Sequence, residues 1–336
     1  MGTAPLRPGE EAEARLDLTL RPQAFGEFVG QAKVVEKLHV FVQAALQRRE
    51  TLDHVLLAGL PGLGKTTLAH LIARALGAEV RATSGPMMER SGDLAGILTS
   101  LKRGDVLFID EIHRLPANVE EYLYSAMEDY KIQIVIDQGV HARTVELTLQ
   151  RFTLIGATTR EGLLTSPFRA RFGIFERLEP YGVEDLTAIV TRSASLLGVE
   201  MVPEAAEMIA RRSRGTPRVA NRYLARIRDV AQVRAGNKIS AKVAEEGFKM
   251  LEVDEAGLEA LHRRILGVLV GAGGQPVGLK TLAVSVGEEE ETIEVVYEPF
   301  LIQEGLVAKT SRGRKATDKA YAHLGVEPPS PQAQLF

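Results

Sequence analysis

The sequence predicts an α/β unit, a parallel sheet with helices on both faces, followed by a small all-helical unit and a winged helix-turn-helix. Three observations carry this. Over residues 19–181, short apolar runs with polar ends alternate with helical patterns; over 182–253 only helical periodicity is left; and 254–326 shows three helical patterns and then a hairpin. Residues 1–18, rich in Pro, Gly, Glu and Ala, read as a flexible leader, and 327–336 as a flexible tail. A chain of 336 residues suits two or three domains.

In order along the chain, Gln31–Arg49 repeats Val34, Leu38, Phe41, Val42 and Leu46 at helical spacing. His54–Ala58 is an apolar run closed by glycine, a buried strand. Thr66–Leu76 then sets Leu68, Leu71, Ile72 and Leu76 on one helical face. Val106–Asp110 is a second apolar strand, ending in carboxylates, and Val119–Glu128 a helix. Lys131–Leu149 alternates Ile132, Ile134, Ile136 and Val145, Leu147, Leu149 around Gln138-Gly139, which is hairpin patterning. Phe152–Gly156 is a third strand, with a polar tip at Thr158-Thr159-Arg160.

Beyond Tyr181 the strand signal stops. Asp185–Leu197, Pro203–Arg214 and Arg218–Arg234 are helical, separated by Gly, Pro or Asn. The last unit has helical patterns at Gly257–Leu269, Leu279–Val286 and Glu291–Gln303. It ends in Gly305–Ala308, a polar tip at Lys309–Lys315 and a short return.

Composition excludes several classes. Lys+Arg 41 against Asp+Glu 44 gives a net charge of −3, so the chain is no polycation that wraps nucleic acid, although a local basic patch is allowed. The absence of cysteine removes disulfides, Cys-ligated zinc, iron–sulfur clusters and thiol catalysis. No apolar run approaches the ~20 residues that span a bilayer, and the acidic N-terminus is unlike an export signal. A cytoplasmic location is expected.

The chemistry concentrates in a few segments. Gly59-Leu60-Pro61-Gly62-Leu63-Gly64-Lys65-Thr66 satisfies every defined position of G-x-x-x-x-G-K-[ST], between a strand and a helix as its mechanism requires. Glycines let successive N–H groups curl around a phosphate at a helix N-terminus. Lys65 can reach the β- and γ-phosphates, and the Thr66 hydroxyl can ligate Mg²⁺. Asp110 and Glu111 end a strand whose carboxyl end belongs beside that loop. The first would hold Mg²⁺ and the second would activate a water for attack on the γ-phosphate.

His113 has no Glu or His partner at ligand spacing and reads as structural. Thr158 and Thr159 are either plain caps or hydroxyls aimed at the attacking water or γ-phosphate.

Arg169 and Arg171 lie in a loop after the third strand, as solvated side chains or as guanidinium groups delivered to a γ-phosphate. Arg211, Arg212, Arg214, Arg218, Arg222, Arg226 and Arg228 form a run with no acid between Met208 and Arg228. Arg218, Arg222 and Arg226 share one helical face, which is either solvated or answered by a nucleotide, a neighbouring subunit or DNA.

The segments GLPGLGKTTLAH, GDVLFIDEIHRL, FTLIGATTR, SPFRARFGI and RSRGTPRVANR together resemble the AAA+ ATPases. With Ser84-Gly85-Pro86, YEPFLIQEGL and SRGRKAT the resemblance narrows to the RuvB family of Holliday-junction branch-migration motors, over about residues 18–325. It implies ATP and Mg²⁺ as ligands, with Gly62, Gly64, Lys65, Thr66 and Thr67 in Walker A and Asp110 and Glu111 in Walker B. It makes Thr158 sensor 1, Arg171 an arginine finger acting in trans and Arg218 the sensor 2 arginine acting in cis. Leu20, Arg21 and Tyr181 would line the adenine and ribose side, and Glu128, Asp129 and Tyr130 would join the ATP-binding set.

The resemblance also implies a homohexameric ring on duplex DNA and four-way junctions. Its partner RuvA would dock on the 131–149 hairpin through Ile132, Ile134 and Ile136, and RuvC would be a further partner. No membrane is implied. Leu60 and Ser311 stand where the family usually has prolines, neither at a ligand position. A clamp-loader subunit would carry a Ser-Arg-Cys finger, and this chain has no cysteine. An ATP-switched DNA-binding initiator would not need an intact Glu111 and finger.

Lys309, Arg312, Arg314 and Lys315 surround Gly313, a cationic loop suited to phosphates rather than base edges. Lys309, Arg312 and Arg314 are the expected DNA contacts. The preceding helix carries Glu288–Glu291, Glu294 and Glu298, which would repel a major groove.

Overall fold

The computed structural model describes residues 18–136 and 143–329. The chain forms two compact units, Met1–Tyr181 and Gly182–Phe336. Among the described residues no helix is long and apolar enough to cross a membrane.

The first unit is built on five strands, all parallel: β1 Val55–Ala58, β2 Val80–Ser84, β3 Val106–Asp110, β6 Thr153–Thr158 and β7 Ile174–Arg177, in the order β2-β3-β6-β1-β7. β1 and β6 are buried along their whole length, as the apolar runs require. Leu107 and Ile109 share one core with Leu94 and Leu98 of α3 (Ser91–Ser100) and Leu123 of α4 (Ala117–Glu128). Phe108 points the other way, its ring 6.4 Å from that of His70 on α2 (Lys65–Leu76). The alternation of a strand thus separates the two helical layers. Helix α1 (Ala32–Arg48) precedes β1, burying Val34, Leu38 and Val42.

Three strands were expected here and five are present. β2, Val-Arg-Ala-Thr-Ser, is an edge strand with no buried residue, so it carries no apolar run to betray it. β7 is the other edge, alternating buried Ile174 and Glu176 with exposed Phe175 and Arg177. The central position of β6 also changes the site: the Asp110 strand is not adjacent to the phosphate-loop strand, and the tip of β6 lies between them.

The expected hairpin is β4 (Lys131–Ile136) paired antiparallel with β5 (Arg143–Thr148), with Ile132 opposite Leu147 and Ile134 opposite Val145. Its base is not an open docking face. Ile132 is 1% exposed in the core beside Met127 and Leu149, because the strand leaves α4 directly and seals that core. Ile134 is half-buried against the same core, while Val145 is exposed. The side chain of Ile136 and the turn at Gln138-Gly139 lie outside the described residues.

The second unit begins with α6 (Val183–Leu196), α7 (Pro203–Arg212), α8 (Pro217–Arg234) and α9 (Ala241–Met250). α7 and α8 open on proline, where the missing N–H costs nothing, and Ser240 caps α9 by accepting from Val243 N–H at 3.3 Å. The strand signal does not stop at Tyr181: β8 (Glu200–Met201) pairs in parallel with β9 (Lys238–Ile239), each too short to show a period.

The remainder is a winged helix: α10 (Ala260–Gly271), α11 (Leu279–Val286), then Glu290–Gln303 with a π turn at Ile293–Tyr297, and the hairpin β10 (Val307–Thr310) and β11 (Gly313–Ala316). Leu266, Leu269, Leu282, Ile293, Leu301 and Tyr321 fill its core. The polar tip shrinks to Ser311 and Arg312, because Lys309 and Arg314 are themselves paired strand residues.

Candidate active site

The loop between β1 and α2 is shaped by glycines: Gly59, Gly62 and Gly64 have φ of +145°, +80° and +102°. A Cβ on Gly64 would stand 3.0 Å from the Phe28 ring and 3.7 Å from the Tyr181 hydroxyl, so any side chain there would fill the cradle. Lys65 is buried and its ammonium donates to the carbonyls of Gly59 (2.7 Å) and Leu60 (2.9 Å). Thr66 and Thr67 follow in the first turn of α2, half-buried. Tyr181 donates to Leu63 O at 3.1 Å, and Leu20 is buried. Burial, and then the Arg21 guanidinium, hold His70 on α2 below its ordinary pKa. Phe28, which belongs to no motif, forms a further wall of this cradle.

Glu111 is the residue that turns the chain off β3, with φ +47°. A left-handed non-glycine of this kind costs about 1–2 kcal/mol and is tolerated where a functional side chain must be aimed. Its N–H donates to Asp110 Oδ1 (3.0 Å), and its carboxylate accepts from the Thr159 hydroxyl (2.9 Å) and lies 3.2 Å from His113 Nδ1. Thr158 behaves differently. Its hydroxyl is buried, hydrogen-bonded with His113 Nδ1 (2.9 Å) and accepting from Arg160 N–H (3.0 Å). Adjacent residues at a strand end point to opposite sides, so only Thr159 reaches the glutamate.

Arg171 and the Glu128–Tyr130 set stand elsewhere. Arg171 lies between α5 (Ser166–Ala170) and β7; its guanidinium donates to Pro167 O (2.8 Å) and Glu128 (3.1 Å) and lies 4.2 Å over the Tyr124 ring. Glu128, Asp129 and Tyr130 close α4 at the amino end of the sheet. His54, just ahead of β1, fixes them there: its Nδ1 accepts from Leu154 N–H (2.9 Å) and its Nε2 pairs with Met127 O at 3.2 Å. Those partners demand the neutral ring, and burial holds its pKa down. The P-loop is at the carboxyl end of β1, about 13 Å of strand away. Glu128, Asp129, Tyr130 and Arg171 therefore do not join the cradle of their own chain.

In the second unit most of the arginine run is answered internally. Arg212 pairs with Glu245 (2.6 Å), Arg226 with Asp229 (3.0 Å) and Arg211 with Glu207, while Arg214 and Arg222 share Glu259. No external polyanion is needed to balance these. Arg218 sits in the first turn of α8.

The wing corrects one expected DNA contact. Arg314 is 8% exposed and donates to both oxygens of buried Glu298 at 2.9 and 3.0 Å, because the hairpin folds it against the preceding helix. Lys309 is exposed but paired with Glu294 at 3.0 Å. Arg312 is exposed at the tip. Glu294 and Glu298, read as repelling DNA, serve as the counter-charges of the wing.

Comparison with known proteins agrees with this geometry. Residues 20–178 match the family described as Holliday junction DNA helicase RuvB P-loop domain, 181–254 the RuvB AAA lid domain, and 255–325 the RuvB C-terminal winged helix domain. The Holliday junction branch migration complex subunit RuvB of Salinibacter ruber is 56% identical over 328 residues, 97% of this chain and 95% of that protein. The corresponding subunit of Chlorobaculum tepidum is 55% identical over 340 residues, 100% of this chain and 97% of that protein. Among solved structures, the Thermotoga maritima RuvB Holliday junction branch migration motor is 50% identical with a TM-score of 0.85, covering 93% of this chain and 100% of that one. Neither the clamp-loader nor the initiator reading is supported by these matches, and the chain belongs to the RuvB family of P-loop ATPases.

Proposed function

We propose that this chain is the ATP-driven motor that moves the branch point of a Holliday junction, working as a homohexameric ring on duplex DNA. The observation that carries the reading is the placement of Arg171 at the end of the sheet opposite its own P-loop. A nucleotide then meets such an arginine only from a second copy, so turnover is tied to assembly.

The cradle around Gly64 and the oxygen donors nearby fit a nucleotide with its cation. The P-loop N–H groups hold the phosphates and Lys65 binds the β- and γ-phosphates. Thr66 and Asp110 would hold Mg²⁺, which neutralises charge on the phosphate oxygens. Glu111 takes a proton from a water whose oxygen attacks the γ-phosphorus as the bond to the bridging oxygen breaks. Thr159 fixes the orientation of Glu111, and Arg171 of a neighbouring copy stabilises the spreading charge, a factor of ~10³–10⁵ in comparable enzymes. Leu20, Arg21 and Tyr181 hold the base and ribose side, and Arg218 reads the bound nucleotide.

RuvA is the proposed partner at the hairpin, through its outer part around Ile134, Ile136 and Val145 rather than through Ile132, with RuvC as a further partner. DNA backbone contact is through the wing tip at Arg312, with Lys309 beside it. The setting is the cytoplasm. The test is turnover with and without duplex DNA, and strand exchange on a synthetic four-way junction with the cognate RuvA. DNA-stimulated hydrolysis with ATP-dependent exchange is expected; slow turnover without exchange would overturn the motor reading.

A further inference from the structure

The turn between α7 and α8, Ser213–Thr216, is bound to the winged helix by one carboxylate. Glu259, just ahead of α10, accepts from Arg214 Nη2 (2.8 Å), from the Tyr223 hydroxyl (2.9 Å) and from Arg222. Arg214 is left-handed, with φ +54°, and its Nη1 lies 3.0 and 3.2 Å from the two ring nitrogens of buried His262. His262 in turn packs edge-on against Tyr297 (4.8 Å) and Phe300 (5.9 Å) of the third wing helix. The backbones close the same joint: a Cβ on Gly257 would meet Arg212 O at 2.4 Å.

Arg214 and Arg222 flank Arg218 by four residues on either side. Three donors on one half-buried carboxylate tie these groups together, since parting the inner pair would leave Arg214 or Glu259 as a largely shielded charge without its counter-ion. Burial pushes the Glu259 carboxyl up, but the guanidinium groups of Arg214 and Arg222 together with the Tyr223 hydrogen bond and His262 hold it below the ordinary range, so it is ionised at neutral pH.

We infer that Glu259 is a positioning residue that locks the Arg214–Arg222 segment to the winged helix, so that nucleotide sensing by Arg218 and DNA engagement by the wing are coupled through it. The inference rests on the proposed role of Arg218.

Three variants test it in the full-length chain: Glu259→Gln, which keeps shape and removes the charge; Arg214→Gln, which breaks the tie from the other side; and Arg218→Ala. Glu259→Gln and Arg214→Gln should each raise the KM for ATP about five- to tenfold and cut the stimulation by duplex DNA by a similar factor, leaving DNA-free kcat within about twofold. Glu259→Asp should recover part of the coupling. Thermal melting followed by circular dichroism checks the fold, and if Glu259→Gln fails to fold, Arg214→Gln decides. If the folded variants keep wild-type KM and DNA stimulation while Arg218→Ala raises KM, or if they lower only the melting temperature, Glu259 is structural and the inference falls. If Arg218→Ala leaves KM unchanged, the Arg218 reading fails first and takes the coupling with it.

Discussion

Arg171 and Glu128 are joined at 3.1 Å at the amino end of a sheet whose carboxyl end carries the phosphate loop. Within one chain the two ends do not meet. Arg171→Ala is therefore expected to bind ATP normally and to lose hydrolysis by at least ~10³-fold. Mixing it with Glu111→Gln chains should restore part of the activity, because some seams then pair an intact glutamate with an intact arginine. Lys65→Ala should instead lose nucleotide binding at its own site. Absence of any recovery in a titrated mixture would place Arg171 outside catalysis in trans.

The two adjacent threonines separate cleanly. Thr159→Val removes the hydroxyl that holds Glu111 and should lower kcat by about tenfold or more with nucleotide affinity retained. Thr158→Val removes a buried hydrogen bond with His113 and should cost about 1 kcal/mol of stability, with the smaller effect on kcat. Steady-state kinetics and denaturant melts on both variants check the assignment.

The wing arginines should also part company. Arg312→Ala is expected to weaken DNA binding about equally across sequences and to reduce the salt-dependence slope by about one, with no change in melting temperature. Arg314→Ala leaves buried Glu298 with only the longer contact to Lys309 at 3.9 Å and should destabilise the winged helix by about 3 kcal/mol. Fluorescence anisotropy against salt and thermal melting read the two effects.

Acid should weaken the fold through two buried histidines. His262 is held down to about 3 by burial and by Arg214, and His54 is also lowered by burial. Both are neutral in the folded chain and gain a proton on unfolding below about 6.5. Their contribution is complete above that value and is lost as pH falls towards the folded pKa, by about 1.4 kcal/mol per pH unit for each. Melting temperatures should fall between pH 7 and 5, and His262→Gln should flatten that fall.

The sequence by itself determined the chemistry and the fold class. A phosphate-binding loop is made by consecutive backbone groups, so Gly59–Thr66 specifies it even though its Phe28 and Tyr181 walls come from distant segments, and the carboxylates and threonines occupy strand ends that apolar runs make visible. Helical periods likewise exposed the lid and the winged helix. Edge strands β2 and β7 stayed hidden because an edge needs no continuous apolar run. Only the tertiary structure decided which charges are engaged and which apolar residues face the core. Arg314 is neutralised by Glu298, sixteen residues earlier, Arg214 by Glu259, forty-five later, and Ile132 is covered by a core assembled from Met127, Leu149 and distant helices. The burial of a side chain and the sign of its nearest neighbour are set by contacts between segments far apart along the chain, and local pattern holds no record of them.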